Sequence, residues 1–128
     1  MKYLSICSGI EAATVAWHPL GWEAVAFAEI EKFPSAVLKH HWPDVPNLGD
    51  MTRFREWPES VFLEADCIVA GTPCQSFSVS GLRRSLDDER GNLTLTFTRI
   101  IDHARTIRTA AGRPEAIILW ENVPGCLS

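Results

Sequence analysis

The sequence predicts an α/β fold, a mostly parallel sheet with helices on both faces. Three observations carry that prediction. Apolar runs of strand length recur at 2–7, 23–28, 66–70 and 115–120. Segments of helical period separate them. The strand runs are almost wholly apolar rather than alternating, the mark of strands buried on both faces. Right-handed crossovers then bring the carboxyl ends of the strands to one edge.

The elements follow in order. Residues 2–7 read as the first strand and 11–17 as a helix, stopped near Pro19 and Gly21. The second strand is 23–28. A helix over 33–42 places Phe33, Val37, Leu38 and His41 on one face and ends at Pro43. A short strand is expected at 45–48, and 51–64 has no clear period. Residues 66–70 form the fourth strand, and 72–90 read as a long loop, a kind of segment that is usually functional. Leu93, Phe97, Ile100, Ile101, Ala104 and Ile107 then repeat at helical spacing, giving an amphipathic helix over 91–111. Gly112 and Pro114 end it, and 115–120 is the fifth strand.

The 128 residues are 46% hydrophobic and 22% charged, which suits one globular domain with a real core. No apolar stretch approaches the roughly 20 residues that span a bilayer, and the N-terminus has no small-residue cleavage site. A cytoplasmic protein is expected. The four cysteines, Cys7, Cys67, Cys74 and Cys126, lie far apart, so neither a metal site nor a disulfide framework is expected. Cys7 and Cys67 read as small core residues. A net charge of -4 argues against a stand-alone nucleic-acid binder. The charge is uneven. Residues 1–66 carry 5 basic and 10 acidic side chains, whereas 67–128 carry 7 and 6. Those seven are arginines between Arg83 and Arg113, compatible with a phosphate-bearing substrate and equally with a solvated helix face.

Two strand ends carry the chemistry. Gly71-Thr72-Pro73-Cys74-Gln75 puts a thiol in a tight turn after an apolar strand, and Glu121-Asn122-Val123 puts a carboxylate at the end of another. A nucleophile and an acid at carboxyl ends of strands is the layout of an α/β active site. The first turn, Cys7-Ser8-Gly9-Ile10-Glu11-Ala12, has a glycine that lets a ligand approach the backbone, although a plain turn explains it too. Glu29, 20 residues after Gly9, is placed to hydrogen-bond ribose hydroxyls or to complement a helix dipole, and Glu31 suits the second role better. Gly49-Asp50 is a third candidate for the same crevice, with a helix cap as the alternative.

These residues, in this order, resemble the DNA cytosine-5 methyltransferase family. The resemblance runs from Ser8-Gly9 through Glu29, Gly49-Asp50, Pro73-Cys74-Gln75 and Arg90-Gly91-Asn92-Leu93 to Glu121-Asn122-Val123. It implies a Rossmann-like fold that binds S-adenosylmethionine, here expected to stop after the fifth strand. It implies a cofactor site of Ser8, Gly9, Ile10, Glu29, Ile30, Asp50, Pro73 and Leu93. It also implies a mechanism. Cys74 would add to carbon 6 of cytosine, making carbon 5 able to accept a methyl group, because thiolate is the nucleophile least impeded near neutral pH. Glu121 would bind and share a proton with ring nitrogen 3, and Asn122 would hold the Cys74 loop through backbone hydrogen bonds. The substrate would be double-stranded DNA with the cytosine flipped out of the stack, its backbone met by Gln75, Ser76 and Ser78.

The sequence departs from the family in two places. Glu11 and Ala12 stand where the first motif usually carries further glycines, and Glu11 would repel a cofactor carboxylate unless it points away. The chain also stops before the family's sequence-reading region. Residues 1–128 are therefore expected to be one incomplete catalytic and cofactor-binding domain. The alternative is a non-catalytic subunit needing a second chain or self-association. A cysteine hydrolase is the third reading, with His18, His40, His41 or His103 as the histidine.

Overall fold

The computed structural model describes residues 1–72 and 89–122, with the side chains of all of these except 89–92. Four strands form one sheet: β1 (Lys2–Ile6), β2 (Glu23–Ala28), β3 (Cys67–Ala70) and β4 (Ile117–Trp120). Their order is β2-β1-β3-β4, and every pairing is parallel. The helices are α1 (Ala12–Trp17), α2 (Lys32–His41), α3 (Glu59–Glu64) and α4 (Glu89–Ala110). The region without a clear period, 51–64, holds a 3-10 helix at Met51–Glu56 and then α3.

Alternation along β1 supplies both faces of the sheet. Leu4 and Ile6 join Ile68, Ala70, Ala26 and Ala28 under Phe54, Phe62, Phe97 and Ile100, from the 3-10 helix, α3 and α4. Tyr3, Cys67 and Val69 face the other way, against Ala13 and Trp17 of α1. Phe27 meets Trp42 edge-on at 6.0 Å where α2 ends.

Three expectations change. The strand expected at 45–48 contracts to one parallel bridge, Phe27 to Asn47. Pro46 has no N–H for a longer ladder, and the Asn47 side chain is engaged elsewhere. On α2, Leu38 is buried and Val37 half-buried, but Phe33 and His41 are exposed. The seat against the sheet is taken by Trp42 instead. β4 is apolar yet uncovered, with Ile117, Ile118 and Leu119 at 56%, 38% and 48% exposure. Among the described residues it pairs only with β3, so neither face has the cover a fully buried strand requires.

Because the strands are parallel, their carboxyl ends share one edge. The chain leaves β1 toward β2 on one side, and the sheet continues through β3 on the other. The β1–β3 boundary is thus a topological switch point, where α/β folds open a crevice.

Candidate active site

Two cavities open at that edge, and both touch Cys7 and Gly71. The first has a volume of about 290 Å³ and is lined by Gly9, Glu29, Ile30, Asp50 and Leu93, among others. These five come from four separate elements, and the sequence placed all of them in one cofactor site. Ser8 is adjacent but lines the second cavity, and Ile10 is exposed on the turn.

Glu29 is held by the turns around it. Its Oε2 accepts from the Gly9 N–H at 2.9 Å, and its Oε1 accepts from the Glu31 N–H at 3.1 Å. Asn47, which the sequence reading passed over, fixes the backbone. Its Oδ1 accepts from the Glu29 and Gly49 N–H groups, both at 3.0 Å, while its Nδ2 donates to the Glu29 carbonyl at 3.1 Å. Asn two residues before Gly is an Asx-turn signal, and it could have been read from the sequence. Gly49 has φ +74, a left-handed conformation suited to glycine.

Asp50 is the helix cap that the sequence left as the alternative. Its Oδ1 accepts from the Thr52 N–H at 2.9 Å and hydroxyl at 2.7 Å, and no described bond uses its Oδ2. A nucleoside fits this donor set. Glu29 retains acceptor capacity for a diol, Asp50 has an oxygen for an amine, and Ile30, 69% exposed, offers an apolar surface. Cys7 sits half-buried at the cavity wall rather than in the core, donating to the Met51 sulfur at 3.5 Å. Burial, and then the Glu29 carboxylate, push its thiol up to about 11.

The second cavity, about 450 Å³, lies between α1 and the ends of β1, β3 and β4. Glu121 lines it. A Cβ built on Gly71 would come within 3.4 Å of the Glu121 Oε2, so the carboxylate rests over Gly71. The Glu121 N–H donates to the Ala70 carbonyl at 2.9 Å. Thr72 joins the two strand ends. Its hydroxyl accepts from the Trp120 indole N–H at 2.9 Å and the Asn122 amide at 3.2 Å. Pro73, Cys74, Gln75, Ser76 and Ser78 lie outside the described residues.

Glu11 does not line the first cavity. It caps α1 from inside, its Oε1 accepting from the Thr14 N–H at 3.2 Å. None of the four histidines lines either cavity. His103 packs edge-on between Phe54 and Phe62 at 5.3 and 5.1 Å, and burial lowers its pKa. Among the described residues no three His, Cys, Asp or Glu side chains form a group that could hold a metal ion. None of the described helices is long and apolar enough to cross a membrane. Arg108, one of the seven arginines, is not phosphate-facing. It is 2% exposed and bonds four carbonyls at the opposite edge of the sheet.

A protein named DNA N-6-adenine-methyltransferase from Escherichia phage P1 is 53% identical over 127 residues, 98% of this chain and 17% of its own length. Type II methyltransferase M.AquIA of Picosynechococcus is 31% identical across 99% of this chain and 50% of its own. A crystal structure of a Spodoptera frugiperda DNMT2 variant superposes with a TM-score of 0.66 at 28% identity, across 98% of this chain and 36% of the other. The chain spans half or less of the length of each. The fold is that of the Rossmann-like methyltransferases. The family model described as C-5 cytosine-specific DNA methylase matches residues 1–128, and the chain belongs to that family.

Proposed function

We propose that this chain is the cofactor-binding and catalytic part of a DNA cytosine-5 methyltransferase. The observation that carries the reading is the convergence at Thr72. Asn122 bonds the Thr72 hydroxyl and Glu121 lies over the neighbouring Gly71, just before Pro73-Cys74 in the sequence, beside a cavity suited to a nucleoside. In this reading Glu29 takes the ribose hydroxyls, Asp50 the adenine amine, and Ile30 and Leu93 the faces of the ring. Ser8, Gly9, Ile10 and Pro73 border the rest of the cofactor.

Cys74 forms a bond from its sulfur to carbon 6 of a flipped cytosine. Glu121 holds a proton at nitrogen 3 so that the ring accepts the electron pair. S-adenosylmethionine supplies the methyl group that carbon 5 then takes. Transfer of the carbon 5 proton to solvent then restores the double bond between carbons 5 and 6 as the carbon–sulfur bond breaks, and Cys74 leaves as the thiolate. Gln75, Ser76 and Ser78 contact the backbone of double-stranded DNA. A cytoplasmic setting belongs to the same reading.

A second reading comes from the phage P1 relative, whose name gives adenine N6 as the acceptor. An exocyclic amine has its own lone pair and needs no covalent nucleophile, so the cysteine turn separates the two. The test is nucleoside analysis of methylated DNA from the full-length protein carrying this chain. A covalent trap on 5-fluorocytosine DNA accompanies it. The expected product is 5-methylcytosine, with a trapped adduct that Cys74→Ser abolishes. N6-methyladenine made equally well by Cys74→Ser would sink the cytosine reading.

A further inference from the structure

Glu11 combines two features that are uncommon in one residue. Its backbone is left-handed, φ 69 and ψ 66, which side chains other than glycine rarely adopt. Its side chain is 1% exposed, and its Oε2 has no hydrogen-bond partner among the described residues. Backbone strain and an orphaned acid oxygen persist only where surroundings over-determine them, and such outliers cluster at functional sites.

The connections run toward the cofactor cavity. The Glu11 N–H donates to the Ser8 carbonyl at 3.0 Å, closing the turn that contains Gly9. The Ser8 hydroxyl donates to the Ser5 carbonyl at 2.9 Å and accepts from the Ala28 N–H at 3.3 Å, tying the turn to β1 and β2. The Gly9 N–H donates to Glu29, and so sets the carboxylate that lines the cavity.

We propose that Glu11 is a positioning residue for the cofactor site, an inward strut that caps α1 at Thr14, closes the Ser8-Gly9 turn and, through it, sets the Glu29 carboxylate. The inference rests on the cofactor reading of the first cavity. Burial raises the Glu11 pKa, against the smaller opposing effect of the Ser5, Ser8 and Thr14 groups nearby. Among the described residues, the titratable groups around this turn are acids. Tyr3 on β1 has its own pKa raised by burial and, in part, by Glu11. Cys7 lies at the end of β1 and Glu29 beyond β2, while Glu121 beyond β4 shares the second cavity. Helix α1 contributes none. Among the described residues no cation lines the second cavity beside Glu11.

The sign follows. A folded-state pKa raised above the unfolded one favours the folded turn at low pH, and that benefit is lost as pH rises through the folded value. Two readouts across pH 5 to 9 test this. One is exchange protection of the Gly9 and Thr14 amides without ligand, and the other is S-adenosylhomocysteine affinity by calorimetry. The wild-type turn should lose protection as pH rises, and affinity should fall by up to about ten-fold per pH unit above the folded value. Glu11→Gln, which keeps an acceptor for Thr14 and cannot ionise, should hold both flat. Glu11→Ala should weaken both at every pH. A wild-type profile that is flat, or that Glu11→Gln reproduces, overturns the role. If amide protection behaves as expected but S-adenosylhomocysteine binds nowhere, the turn device stands, and both the cofactor reading and Glu11's role toward the cofactor fall.

Discussion

Arg108→Met removes the guanidinium that gathers four carbonyls at the amino edge of the sheet. Nη1 donates to the carbonyls of Phe62, Leu63 and Ala65 at 3.1, 3.1 and 2.8 Å, and Nε donates to Pro114 at 2.7 Å. These bonds tie the end of α3 and the approach to β4 onto α4. The bonds to Phe62 and Ala65 are buried, so their carbonyls would be left unsatisfied at about 1–3 kcal/mol each. The other two are part-buried and can turn to water. Asp66 lies 3.6 Å away and is 46% exposed, so that ion pair adds only about 0–1 kcal/mol.

Methionine recovers some apolar packing, and a loss of about 4 kcal/mol is expected. That is a large share of the roughly 5–15 kcal/mol that holds a domain folded. Urea unfolding followed by circular dichroism measures it. With a slope of about 2 kcal/mol per M, the midpoint should fall by about 2 M at unchanged slope. Arg108→Lys should lie between, because an ammonium lacks the planar fork. A shift below about 0.5 M for the methionine variant would refute the clamp and return Arg108 to the surface arginines.

Glu29→Ala should weaken S-adenosylhomocysteine binding by about 1.5–3 kcal/mol per lost charged hydrogen bond, while leaving the chain folded, as calorimetry beside circular dichroism would show. Thr72→Val keeps the shape but removes the acceptor of the Trp120 indole N–H, so a stability loss of about 1–3 kcal/mol is expected, with a drop in single-turnover methylation. With its thiol at about 11, Cys7 should alkylate roughly 100-fold more slowly at pH 8 than in the unfolded chain. Site-resolved mass spectrometry would read that rate, and Glu29→Gln should raise it.

The sequence by itself determined the four strands of the sheet, helices α1, α2 and α4, and which residues reach the carboxyl edge, but not α3 or the 3-10 helix before it. Those facts are local. Apolar runs mark strands, the Leu93-to-Ile107 period marks α4, and parallel pairing carries Gly9, Glu29 and Glu121 to one side of the sheet. It also carried the family, because the motifs are read residue by residue. The tertiary structure decided what each polar group does once there. Arg108 and Arg105 sit three residues apart on α4, yet one is buried against carbonyls and the other pairs on the surface with Asp102 and Glu115. Only the packing of α3 and the Pro114 segment separates them. Asn47 replaced a strand with side-chain bonds because its partners, Glu29 and Ser35, are distant in sequence. Glu11 turned inward because the turn after β1 closes over Ser5 and Ser8, and no period or motif in the chain records the direction of one side chain.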